Sequence, residues 1–248
     1  MKATFRLLVV GATSAIAHEV SRRYASRHAR LFLAGRDAAG VATNAADLTV
    51  RGAETVRTGA FNALDSSSHE ALLEAAFLSF GGFDAVLVAY GLLPDQLGCE
   101  QSVAETLVAF DTNGRSVVAL LTLLANRFET QGSGTIVVVS SPAADRGRAS
   151  NYVYGAAKAA VSVFASGLRN RLYAKGVRVL TVSPGFVDTP MTVAFPKGPL
   201  WTSPKRVARD IEHAIDSGFG VVYTPWFWRW IMRVIRLLPE RLFVRLKL

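Results

Sequence analysis

The chain has 248 residues, 28 Lys and Arg against 19 Asp and Glu, and an apolar fraction of 50%. That length and composition suit one large domain with a sizeable core, and they exclude disordered, collagen-like and low-complexity architectures. The single cysteine, Cys99, excludes an internal disulfide framework and a cysteine zinc cage.

His18, His28, His69 and His213 show no metal-ligand spacing, so no metal site is expected. The net charge of +9 is concentrated at one end, where Arg229, Arg233, Arg236, Arg241, Arg245 and Lys247 face a single acid, Glu240. That segment is also rich in Trp and Leu, which points away from nucleic acid as a partner. No run reaches about 18 uninterrupted apolar residues, so no transmembrane helix is expected. Lys2 and Arg6, then Leu7–Val10, then Ala15-Ile16-Ala17 imitate a signal peptide with its cleavage site. The apolar run is too short for one, and the expectation is a cytoplasmic protein without a signal peptide.

Apolar periodicity reads in chain order as follows. Phe5–Val10 is a strand, Ser14–Arg27 a helix, Arg30–Ala34 a strand, Ala38–Arg51 a helix and Glu54–Thr58 a strand. Ser66–Ser68 cap a helix running through Leu72, Leu73, Ala76 and Phe77. Ala85–Ala89 is apolar throughout, as in a strand buried on both faces. A long helix around Val103–Phe128, the strand Gly134–Ser140, a helix over Asn151–Ala174, the strand Val177–Ser183, a helix over Ser203–Ser217 and a last strand Val221–Thr224 follow. This alternation predicts a single α/β domain over residues 1–224, a Rossmann-type doubly wound parallel sheet of about seven strands with helices on both faces. Residues 225–248 add a basic, Trp-rich helical tail that is no separate domain. In such sheets ligands bind beyond the carboxyl ends of the strands, so chemistry-bearing motifs should follow strands.

Three motifs do. Gly11-Ala12-Thr13-Ser14-Ala15-Ile16-Ala17 is a glycine turn opening a helix, a cradle for a phosphate. A P-loop is excluded, because no Lys is followed by Ser or Thr. Ala34-Gly35-Arg36-Asp37 ends a strand with no acid for ribose hydroxyls and offers Arg36, which suits a 2′-phosphate. Tyr154 and Lys158 stand at i and i+4 of a helix, which places phenol and ammonium on one face. A cation there stabilises phenolate and should lower the tyrosine pKa. Ser141 lies thirteen residues before Tyr154, directly after a strand, and Asn113 sits in the preceding long helix. Tyr152 has Ala156 four residues on and is a decoy.

In these motifs the sequence resembles the short-chain dehydrogenases/reductases over residues 4–224. The resemblance rests on Gly11-x-x-x-Ala15-x-Ala17, Asn113, Ser140-Ser141, Tyr154-x-x-x-Lys158 and Ser183-Pro184-Gly185-Phe186-Val187-Asp188-Thr189. It implies that Tyr154 is the proton donor, that Lys158 lowers its pKa and holds the nicotinamide ribose, that Ser141 polarises the carbonyl, and that Asn113 positions a relay water. It further implies a nicotinamide cofactor along Gly11, Thr13, Ser14, Ala15, Ile16, Arg36, Asn62, Ala63, Ala89, Tyr90, Gly91, Tyr154, Lys158, Pro184, Gly185, Val187 and Thr189. NADP(H) is preferred on the strength of Arg36, with NAD(H) as the alternative. The family's Asn-Asn-Ala-Gly is here Val88-Ala89-Tyr90-Gly91, and Ala15 brings a methyl toward the pyrophosphate path. A cofactor-free relative is therefore an alternative, and a homodimer or homotetramer is implied by resemblance alone.

A narrower resemblance is to the decaprenylphospho-β-D-erythro-pentofuranosid-2-ulose 2-reductases. Phe61–Asp65 with Ser68-His69, Glu74–Phe77, Val88–Leu93 and the tail residues Pro225, Phe227–Arg229, Met232–Val234, Arg236 and Pro239 carry it. It implies reduction of the 2-keto group of a lipid-linked pentofuranose made by a flavin-dependent oxidase. A reductase of a soluble carbonyl or lipid substrate is the alternative. Independently of any family, Trp226–Leu238 places Arg229, Arg233 and Arg236 on one helical face, with Trp226, Phe227, Trp230, Ile231, Val234, Ile235, Leu237 and Leu238 around the rest. That pattern suits a helix lying in a membrane interface at the inner face of the cytoplasmic membrane, or one packed on the domain or a partner subunit.

Overall fold

A computed structural model describes residues 4–218 and 220–246; Lys2 of the signal-like start and Lys247 of the basic tail lie outside them. Seven parallel strands form one sheet in the order β3-β2-β1-β4-β5-β6-β9. The strands are β1 (Arg6–Val10), β2 (Arg30–Gly35), β3 (Thr55–Ala60), β4 (Ala85–Val88), β5 (Gly134–Val139), β6 (Val177–Pro184) and β9 (Val221–Thr224), while β7 (Phe186–Val187) and β8 (Trp201–Thr202) pair separately. The predicted doubly wound sheet is therefore the observed one.

Its residues alternate between two cores, as a strand repeat of two requires. Leu8 and Val10 of β1 join Phe32, Val86 and Val88 beneath α3 (His69–Phe80), α6 (Ser116–Gln131) and α7 (Tyr152–Tyr173). Leu7 and Val9 join Leu31, Leu33 and Leu87 beneath α1 (Ala15–Ala25), α2 (Ala38–Val50) and α8 (Pro204–Ser217). Both faces of β4 are thus covered, which is why its sequence is apolar throughout.

Between β4 and α6 lie α4 (Gln96–Gln101), which the sequence reading passed over, and α5 (Val103–Phe110). Asp95 caps α4 and Ser102 caps α5. The single helix expected around Val103–Phe128 is interrupted by a π turn over Asp111–Arg115, which turns Asn113 inward. Among the described residues this stretch, Val103–Gln131, is the one helix long and apolar enough to cross a membrane. In the fold its Leu120, Leu121, Leu124 and Phe128 are buried in the core of the domain. Ser66–Ser68 form a 3-10 turn, and α3 begins after them at His69 without a serine side-chain cap.

The tail forms α9 (Trp228–Leu237) and α10 (Glu240–Phe243). It packs through Trp228, Met232 and Phe243, all buried, while Arg229, Arg233 and Arg236 stay exposed.

Candidate active site

Every motif singled out in the sequence lies at the carboxyl ends of the strands. The register pairs Val10 with Ala34 and with Val88, Val88 with Val138, and Val139 with Val182. The turns that follow β1, β2, β4, β5 and β6 are thereby brought to one edge, and β1 and β4 flank the switch point.

After β1 the chain turns at Gly11, whose φ of +89° favours glycine. A Cβ there would stand 2.6 Å from the Tyr90 amide nitrogen, so Gly11 and the Ala89–Gly91 turn need that hydrogen. Ser14 precedes α1 without capping it, and Thr13 is exposed. The Ala15 and Ile16 amides are in the uncapped first turn, where helix N–H groups point toward an anion. Arg36 is exposed beyond β2. Its neighbour Asp37 accepts the Gly40 N–H at 3.1 Å as the cap of α2, so the acid is engaged elsewhere. This open glycine cradle fits the pyrophosphate of a dinucleotide.

Val88 and Ala89 stand where the family's motif carries asparagines, and Tyr90 fills the position where it carries alanine. Its ring leans on Phe61 at 4.8 Å, its hydroxyl meets Ser116 Oγ at 3.1 Å, and burial pushes its pKa up. Asn113 is fully buried. Its Oδ1 accepts the Leu92 N–H at 2.9 Å, and its Nδ2 donates to the Leu92 carbonyl at 2.9 Å and the Ala109 carbonyl at 3.1 Å. Both amide hydrogens are thus occupied. The carboxamide locks the Gly91–Leu92 backbone and has no donor left for the relay water expected of it. A Cβ on Gly91 would stand 2.6 Å from Asn113 Oδ1 and 3.6 Å from Lys158 Nζ, so these three residues converge.

Lys158 is 4% exposed and donates from Nζ to the Val139 carbonyl at 3.0 Å. Ser140 Oγ, in turn, donates to the Lys158 carbonyl at 3.2 Å and meets Ser162 Oγ at 2.7 Å, a support the sequence did not signal. The Lys158 ammonium lies 5.7 Å from the centre of the Tyr154 ring. Burial pushes the Lys158 pKa down to about 8. Burial pushes the Tyr154 phenol up to about 12, and a hydrogen bond with the Ser141 side chain opposes that rise. The expected lowering by Lys158 is therefore reversed, because withdrawing the phenolate from water outweighs the stabilisation it gains. Ser141 also accepts the Ala143 N–H at 3.1 Å, which fixes its side chain at the start of the loop.

The remaining residues are less central. Asn62 is exposed, and its Oδ1 accepts the Leu64 N–H at 3.1 Å within its own turn, while Ala63 packs against the core. Pro184 and Val187 are buried, and Thr189 forms a reciprocal cap with Thr192 over Pro190–Thr192. Gly185 is covered by Trp228 of the tail, a contact between distant segments that no local pattern announces.

An uncharacterized oxidoreductase of Streptomyces coelicolor is 41% identical over 243 residues, 97% of this chain and 95% of that one. Another from Mycobacterium tuberculosis is 39% identical over 234 residues, 94% of each chain. The solved structure of an actinorhodin polyketide ketoreductase with NADPH shares the fold at TM-score 0.79 and 23% identity, covering 89% of this chain and 95% of that one. The short chain dehydrogenase family matches residues 6–199, and with Ser141, Tyr154 and Lys158 gathered at the strand ends the chain belongs to that family and is one of its oxidoreductases.

Proposed function

We propose that the protein is an NADP(H)-dependent keto-reductase acting on a lipid-linked keto-sugar at the inner face of the cytoplasmic membrane. The substrate we assign is a polyprenyl-phospho-pentofuranose whose 2-keto group is reduced to the arabino epimer, with a flavin-dependent oxidase supplying the ketone. The observation that carries this reading is the outer face of α9. Trp230, Val234 and Leu237 are 54%, 62% and 83% exposed there, interleaved with Arg229, Arg233 and Arg236. Among the described residues none of these arginines forms an ion pair, and the tail's acid, Glu240, is held by Arg146 at 2.6 Å. Exposed aromatic and aliphatic groups beside unpaired cations complement an anionic bilayer. The loop between β7 and β8 adds exposed Met191, Val193 and Phe195. The Val88–Leu93 stretch, unusual for the wider family, supports the same substrate.

The nicotinamide cofactor supplies the hydride when bound. Ser141 orients the carbonyl oxygen toward Tyr154, and Tyr154 delivers the proton to that oxygen as charge develops on it. Lys158 places a positive charge beneath the phenol, and Asn113 and Gly91 fix the wall opposite. Arg36 is the residue we assign to the 2′-phosphate. The exposed Val103, Leu107 and Val108 of α5 and Val163 of α7 support pairing of subunits into a homodimer or homotetramer.

The test incubates the protein with membrane lipids, the oxidase and NADPH. A polyprenyl-phospho-arabinose product is expected, and consumption of NADPH by soluble ketones alone would overturn the substrate. Salt-sensitive binding to phosphatidylglycerol vesicles, lost in a Trp230→Ser/Arg233→Glu double variant with unchanged melting, tests the location.

A further inference from the structure

We propose that Arg148 holds a phosphate group of the substrate beside the reacting carbonyl. The inference rests on the reading above that the substrate is a phosphorylated keto-sugar.

Arg148 lies on the loop that leaves Ser141 and enters α7 just before Tyr154, so the loop's two ends carry the groups that meet the carbonyl. Its other charged residues are committed to the fold. Asp145 accepts the Tyr223 hydroxyl at 2.7 Å. Arg146 donates to the Ile235 and Leu238 carbonyls at 2.6 and 2.7 Å and lies 3.7 Å from the centre of the Phe243 ring.

Arg148 has no such employment. Its Nε is buried without a hydrogen-bond partner, and the guanidinium forms no ion pair among the described residues. Asp145 is the one carboxylate acting on it, with its Oδ2 taken by the Tyr223 hydroxyl, and burial outweighs that carboxylate and lowers the Arg148 pKa. Asn151 precedes the 22-residue α7 without capping it, so the positive end of a long helix adds to the same region. On this half-buried side chain the shielded Nε–H is unfavourable until an acceptor reaches it. Its planar fork of donors matches two phosphate oxygens at once.

The test compares wild type, R148Q and R148K, each saturated with NADPH so that the cofactor's own phosphate sites are filled. Calorimetric titration with inorganic phosphate and with diethyl phosphate should show binding in wild type, at least about tenfold weaker binding in R148Q, and an intermediate value in R148K. With a phosphorylated keto-pentose, R148Q should raise KM about tenfold and leave kcat unchanged, while KM for a neutral ketone stays the same. A structural defect would move both ketones and the melting temperature together. Phosphate affinity equal in wild type and R148Q, or absent from wild type, would overturn the proposal. Loss of phosphatidylglycerol-vesicle binding in R148Q with phosphate titration intact would also overturn it, by assigning Arg148 to lipid headgroups. Wild type that binds phosphate through Arg148 yet leaves the lipid-linked keto-sugar unreduced would refute the substrate reading alone and leave the anion site standing.

Discussion

The indole of Trp228 lies directly on Gly185, its Nε1 occupying the space where a side chain at 185 would begin. Trp228 is 5% exposed and meets Phe186 edge-on at 5.3 Å, and Phe186 stacks on Trp201 at 5.5 Å. The tail is therefore a wall of the turn after β6. A Gly185→Ala substitution should drive the indole out, with an overpacking cost of about 1–3 kcal/mol. Thermal unfolding should show a lower midpoint, and tryptophan fluorescence should shift to the red. Unchanged melting and emission would mean that α9 is not seated on Gly185.

The pH dependence follows from Lys158. Its pKa of about 8 means that the ammonium is lost as pH rises through that value. Tyr154, at about 12, stays protonated over the same range. With NADPH varied, kcat/KM reports the free enzyme and should fall above about pH 8, approaching tenfold per unit. Stability should move the other way. The buried charge is unfavourable below about pH 8, and the unfolded chain keeps the proton up to about 10.5, so folding gains as pH rises between the two. A Lys158→Arg variant should remove the alkaline limb.

Removing the Tyr154 hydroxyl should separate binding from turnover. Tyr154→Phe is expected to abolish ketone reduction and to leave NADPH affinity within about twofold of wild type. Fluorescence titration alongside single-turnover kinetics checks both halves.

Cofactor choice should depend on Arg36. With Asp37 engaged at the α2 cap, Arg36→Ala should weaken NADPH by about tenfold or more and leave NADH unchanged. Equal losses for both cofactors would place the 2′-phosphate elsewhere.

Asn113→Ala tests whether that residue acts through the backbone it holds. It would leave the Leu92 N–H and carbonyl and the Ala109 carbonyl without their side-chain partner. Urea unfolding should show a loss of about 2–4 kcal/mol.

The layered sheet was legible because parallel strands covered on both faces read as apolar runs, Ala85–Val88 most plainly. The grouping of Ser141, Tyr154 and Lys158 was legible because one helical turn and one strand end fix its spacing. Other features carried no local signal. The π turn at Asp111–Arg115 interrupts a sequence as helical as its surroundings, and β7 and β8 have two residues each. The direction of the Tyr154 shift depends on burial, which spacing does not encode. The tail's arginine stripe was visible, but helical periodicity did not mark Trp228 and Met232 as its buried anchors. Their burial depends on Gly185 and other partners distant in the chain.

Arg146 grips the tail by two main-chain oxygens, those of Ile235 and Leu238. Such acceptors are the same whatever side chains the helix carries. The outward face of α9 can therefore be rewritten, residue by residue, with these two bonds kept, so recognition of a surface can diverge while the reaction chamber behind it keeps its shape.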